Sequence, residues 1–138
     1  MEEKLDNISI ELLVTAAQSG EKIWMQGDLE IIINGEKPYG YSDMVDLDEL
    51  LKSLNTEGAY FIFSCICGVP ECGGWYKGIK VEHQDNRIKW LDQDKGGSWS
   101  FEKKEMLNDL KSVREEEAIY RQYFKGKEID YVGLGFDH

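Results

Sequence analysis

All three cysteines of this chain lie in one stretch, Phe63-Ser-Cys-Ile-Cys-Gly-Val-Pro-Glu-Cys-Gly-Gly-Trp75. Thiols gathered so closely can hold a metal, attack an electrophile, pair as a disulfide or pack as small apolar side chains. A structural zinc ion takes four ligands, and its strongest sequence signal is a pair of Cys-x-x-Cys motifs. Here there is a single C-x-C-x4-C, and the nearest fourth ligand, His83, stands eleven residues beyond Cys72. On an extended strand Cys65 and Cys67 would share a face with Cα atoms roughly 6.5–7 Å apart. That is wide for two ligands of one tetrahedral ion, so zinc on Cys65, Cys67, Cys72 and His83 is an alternative reading. A thiol nucleophile needs a base and a group to orient it. His83 and Asp85 could serve, but no cysteine-hydrolase signature accompanies them. Oxidation could also join Cys67 to Cys72, leaving Cys65 over. The leading reading makes Cys65 and Cys67 apolar filler on a central strand, with Gly68, Pro70, Gly73 and Gly74 shaping the path to Trp75. Phosphate-binding loops, the Rossmann fingerprint, the nucleophile elbow and the H-E-x-x-H motif are all absent. The expectation is a non-enzymatic protein with no catalytic residue and no cofactor, zinc being the alternative.

The elements that would carry this segment follow from periodicity. Ile8, Ile10, Leu12 and Val14 alternate with Ser9, Glu11, Leu13 and Thr15, as in a strand with one buried face. A second strand covers 24–33, with 16–22 turning the chain back and Asn34-Gly35 ending the hairpin. Leu47, Leu50, Leu51 and Leu54 recur at helical spacing, and Asp46 with Glu49 resembles a capping box. Apolar residues on both faces of 59–67 predict a central strand. Strands over 75–83, 87–91 and 99–101 then form a meander, Gln84-Asp85-Asn86 and Lys95-Gly96-Gly97 providing turns. A long helix spans about 101–124, with Met106, Leu110, Val113, Tyr120 and Phe124 on one stripe. The apolar tail 128–138 should dock. The sum is a single α+β domain over 1–138: a mostly antiparallel meander of about five or six strands against one short and one long helix.

With 138 residues, 41% hydrophobic and 31% charged, the chain has the composition of one ordered globular domain. No apolar run is long enough to cross a bilayer, the N-terminal residues lack the features of a signal peptide, and an odd number of cysteines suits a reducing compartment. The expected location is the cytoplasm. Of the net charge of −11, residues 1–60 hold −9, from 4 Lys+Arg against 13 Asp+Glu. Such a surface repels phosphate backbones and anionic lipids, so direct nucleic-acid and membrane binding are disfavoured and a basic protein is the natural complement.

The run Phe61 to Trp75, followed by Val81, Ile88-Lys-Trp90 and Trp99-Ser-Phe101, resembles a pattern in small uncharacterised bacterial proteins. In those an aromatic strand leads into C-x-C-G-x3-C-x-G. In size, acidity and α+β layout the chain is also similar to immunity proteins of bacterial polymorphic and contact-dependent toxin systems. That resemblance implies a protein that neutralises a basic toxin, for instance a nuclease, by covering it. Asp43, Asp46, Asp48 and Glu49 are the expected contact residues, with capping and solvation as their alternative roles. An anionic decoy for a DNA-binding protein is a further reading of the same charge.

Overall fold

The computed structural model describes residues 4–134 and residue 136. The architecture is α+β, with mainly antiparallel strands. Strands β1 (Ile8–Ser19) and β2 (Lys22–Ile33) form a hairpin in register from Ile8↔Ile33 to Ser19↔Lys22. The turn is tighter than 16–22: only Gly20 and Glu21 lie between the strands, and Gly20 takes φ 62°, which glycine adopts without a Cβ penalty. Next come β3 (Asp43–Val45), helix α1 (Leu47–Asn55), β4 (Gly58–Tyr60) and β5 (Phe63–Cys65). A 3-10 turn, Pro70–Gly73, leads to β6 (Ile79–Gln84), β7 (Arg87–Asp92) and β8 (Ser98–Glu102). Helix α2 (Lys103–Gly126) and a short β9 (Tyr131–Val132) complete the order.

The strands divide among three sheets, β1-β2-β9, β3-β5 and β4-β6-β7-β8, the last containing the expected meander. The predicted central strand over 59–67 does not exist as one element. Its first part, β4, pairs with β6, and its second, β5, pairs with β3. Between them the chain changes sheets, with the Ile62 carbonyl accepting from the Asp46 N–H at 2.8 Å. Apolar residues fall on both faces because two sheets are served in succession.

Phe63 occupies the centre of the single buried core. It stacks on Tyr39 at 5.0 Å between ring centroids, lies 5.5 Å from Trp75 and meets Trp90 edge-on at 6.1 Å. Ile8, Ile10, Leu29 and Ile31 of the hairpin, Leu50 and Leu54 of α1 and Met106, Leu110 and Val113 of α2 close around these rings. Helix α2 also shields the outer edge of β1, where Asp109 Oδ2 accepts from the Ile10 N–H at 3.0 Å. An exposed edge strand would otherwise invite pairing with another chain.

The stripe on α2 departs from expectation at its lower end. Glu117, not Tyr120, continues the buried row of Met106, Leu110 and Val113, and it is fully enclosed. Tyr120 is exposed, and Phe124 stacks between it and Tyr131. The tail docks as predicted over its described part. Strand β9 runs parallel to β2 at Met25↔Tyr131 and Gln26↔Val132, while Leu134 and Phe136 pack on the core. Residues 135, 137 and 138 of that prediction lie outside the described residues. Gly27 permits the docking, because a Cβ there would run into the Tyr131 hydroxyl.

The Tyr131 phenol is held well above its ordinary pKa, first by burial and then by the neighbouring Glu117 charge. A raised folded-state value means that this contribution is complete below the unfolded phenol pKa, about 10, and is lost as pH climbs through the folded value. Wild type should therefore lose stability relative to Tyr131→Phe above about pH 10. Urea titrations of both proteins from neutral to alkaline pH check this; parallel curves throughout would refute it.

Candidate functional site

The cysteine segment does not run on as a strand. At the end of β5 the Gly68 N–H bonds back to the Cys65 carbonyl at 2.9 Å, and Gly68 takes φ 90°. This turn carries the chain off the sheet, so Cys67 and Cys72 are exposed and Cys65 is half-buried. The expectation of thiols as core filler is therefore corrected, since the turn places two of them in solvent. The three cysteines nevertheless stay on one short turn of chain. The Cys67 N–H meets Cys65 Sγ at 3.5 Å, and the Val69 carbonyl accepts from both the Cys67 thiol at 3.8 Å and the Cys72 N–H at 3.1 Å. Contact with Cys65 first, then the Val69 backbone and Cys72, holds Cys67 below the usual thiol pKa, while the bond and charge of Cys67 raise Cys72.

His83 does not join them. It sits on β6, where its ring Nε2 lies 2.7 Å from the Ser53 carbonyl near the end of α1. A carbonyl oxygen only accepts, so Nε2 carries the proton and offers no lone pair to a metal or thiol. Its backbone N–H is bound to Glu57. The alternative set Cys65, Cys67, Cys72 and His83 thus separates, and among the described residues no three His, Cys, Asp or Glu side chains are grouped to share an ion.

The four acidic residues singled out earlier have different surroundings. Asp43 is turned inward, its side chain only 5% exposed, accepting from the Gly40 N–H at 2.7 Å and facing Lys95 at 3.7 Å. Lys95 in turn lies 3.9 Å over the Trp75 ring. Asp46 caps α1, accepting from the Glu49 N–H at 3.2 Å. The reciprocal half of the capping box is missing, because Glu49 reaches across to the Phe61 N–H at 3.1 Å. Asp48 alone of the four is largely exposed, 76% for its side chain, in an i,i+4 pair with Lys52. Such a pair is worth about 0.3–0.5 kcal/mol and leaves the charge available. Asp43 and Glu49 are therefore principally structural.

The position of Asp48 and Asp46 becomes informative beside β2. Strand β9 covers β2 only at Met25 and Gln26. Beyond that point the same edge of β2 is met by loops, with Tyr39 Oη accepting from the Ile31 N–H and the Glu36 carbonyl from the Ile33 N–H. Between these contacts the edge of Gly27–Glu30 away from β1 pairs with no strand among the described residues, and this stretch forms one wall of an open groove of about 830 Å³. Strand β3 and the start of α1 form the opposite wall, and Val132–Leu134 close one end. Five carboxylates line it, Asp28, Glu30, Asp43, Asp46 and Asp48, against one lysine, Lys37, which pairs with Glu30. Apolar side chains stand among them, including Leu13, Met44 and Ile66 and the fully exposed Tyr41. Sequence reading missed Asp28 and Glu30 because their partners across the groove come from distant segments.

A second concavity, about 670 Å³ on the outer face of β4-β6-β7, mixes Lys80, Arg87 and Lys89 with Glu57 and Glu82. Its charges nearly balance and select no sign of partner. No helix among the described residues is long and apolar enough to cross a membrane. Compared with known protein families, curated proteins and solved structures, the chain matches none.

Proposed function

We propose that this chain is a non-enzymatic binding protein of the immunity type, acting in the cytoplasm, whose acidic groove takes an extended lysine- or arginine-bearing segment of a basic toxin such as a nuclease. The observation that carries this reading is the groove itself: Asp28, Glu30 and Asp48 at its walls, one lysine in its lining, and exposed Tyr41, Met44 and Ile66 in one place. A groove of this kind takes an extended segment through side chains along its walls, carboxylates for cationic groups and apolar residues for anchors. Carboxylates of one sign attract a cationic partner over about 8–10 Å and speed encounter, while apolar anchors slow release. Nucleic acid and anionic lipid are repelled by the same field.

A photoreactive residue in place of the exposed Tyr41, introduced in the source cell, tests the proposal. A strongly basic protein should be crosslinked, and Asp28→Lys with Asp48→Lys should weaken its binding about tenfold or more, mostly at low salt. Neither replacement removes a buried contact. An acidic partner, or one retained equally by the double variant, would sink the idea.

A further inference from the structure

We propose that Cys67 and Cys72 form a reversible dithiol–disulfide pair that exchanges with low-molecular-weight disulfides, Cys67 attacking and Cys72 resolving. The pair is independent of whatever occupies the groove. Both thiols are exposed, and both residues bond to the Val69 carbonyl between them, Cys67 through its thiol at 3.8 Å and Cys72 through its N–H at 3.1 Å, which keeps the two at one point of the connecting segment. The backbone has room to adjust at Gly68 and Gly74, while Gly73 is packed against Asp43 and Trp75. A Cβ added at Gly68 or Gly74 would meet nothing within 4 Å, and no residue of the Pro70–Gly73 turn is buried. Rearrangement within this exposed segment is what bringing the two sulfurs to disulfide geometry requires.

The roles follow from position. Thiolate, not thiol, is the nucleophile, and of the two exposed thiols Cys67 has its ionised form favoured by its surroundings while Cys72 has it disfavoured. Cys65 is half-buried at the end of β5, where its strand is held against Asp43 of β3, so it supports Cys67 in place. Cys72 sits free of the sheet on the 3-10 turn and can move toward Cys67. In the first step the Cys67 thiolate attacks one sulfur of a small disulfide, forming a mixed disulfide and releasing one small thiolate. In the second, Cys72 loses its proton and attacks the Cys67 sulfur, forming the internal bond and releasing the other small thiolate. Two electrons pass from the protein sulfurs to the small disulfide, and the two thiol protons finish on the two released thiols.

Reduced full-length protein incubated with excess oxidised glutathione at neutral pH is the test. Wild type should fall from three titratable thiols to one, with a peptide map joining Cys67 to Cys72 and dithiothreitol restoring all three. Cys72→Ser should stop at a glutathione adduct on Cys67. Cys67→Ser should react at least about tenfold more slowly, and Cys65→Ser should still close the bond, several-fold more slowly. Retention of three thiols, a stable adduct in wild type without internal closure, or a bond that uses Cys65 would each overturn the proposal.

Discussion

Replacing Phe63 with alanine should destabilise the protein by about 3–5 kcal/mol, a large part of the 5–15 kcal/mol typical of a whole domain. The side chain is 1% exposed and touches a ring on three sides: Tyr39 from the β2–β3 connection, Trp75 from the segment before β6, and Trp90 from β7. Trp90 in turn meets Phe101 of β8 edge-on at 5.1 Å. Deleting Phe63 therefore opens a cavity where the two-stranded sheet meets the four-stranded one. Rigid indoles from different elements cannot collapse together to fill it, which places the loss at the upper end for such substitutions. Phe63→Leu keeps most of the volume and should cost about 1–2 kcal/mol. Denaturant titrations read both values; an alanine variant whose midpoint moves by less than about 1 kcal/mol equivalent would show that the ring cluster is not the centre of the core.

The second large effect is expected at Glu117. Its carboxylate has no exposed surface, yet it accepts from the Leu134 N–H at 2.7 Å and the Tyr131 hydroxyl at 3.1 Å, with Arg121 3.5 Å away. Glu117→Ala leaves these donors facing a void and should cost about 2–4 kcal/mol. The Arg121 contact adds little to that figure, since its side chain is 43% exposed and water can replace the carboxylate. Glu117→Gln keeps the shape and one acceptor oxygen and should cost about half as much. Hydrogen exchange separates a local effect from a global one: the amides of β9 and of Leu134 should lose protection before those of the β1–β2 hairpin do. Uniform loss of protection, or none, would contradict the role assigned to Glu117 as the anchor of the tail.

The parts legible in the sequence are those set by neighbours along the chain. The alternation from Ile8 to Val14 and the 47-50-51-54 spacing of leucines each describe one face of one element, and both elements form where expected. Periodicity fails where the chain changes partners. At Phe61 and Ile62 the pattern continues while the backbone leaves one sheet for another, and the bonds from the Asp46 N–H to the Ile62 carbonyl and from the Phe61 N–H to Glu49 mark the exchange. Cysteine is among the residue types most often buried, but the turn at Gly68 outweighs that tendency for Cys67 and Cys72. Charge is equally opaque: Asp43 and Asp48 look alike in the sequence, yet one is enclosed by Gly40 and Lys95 and the other stands in water. Glu117 was within reach, since the 106-110-113 row continues to it at helical spacing. A carboxylate on the apolar stripe signals a buried partner, even when the partner cannot be named.

The parallel pairing of β9 with β2 has a kinetic consequence. The β1–β2 hairpin joins adjacent segments through a two-residue turn, whereas Met25 and Tyr131 must find each other across most of the chain. Closing so long a loop costs more entropy than closing the hairpin, so this pairing is expected to follow it. Until it happens Glu117 cannot be sealed from water without losing two of its donors, so the half-assembled molecule has reason to stay open there. Placement of the tail then completes the end wall of the groove and seals Glu117 in the same event.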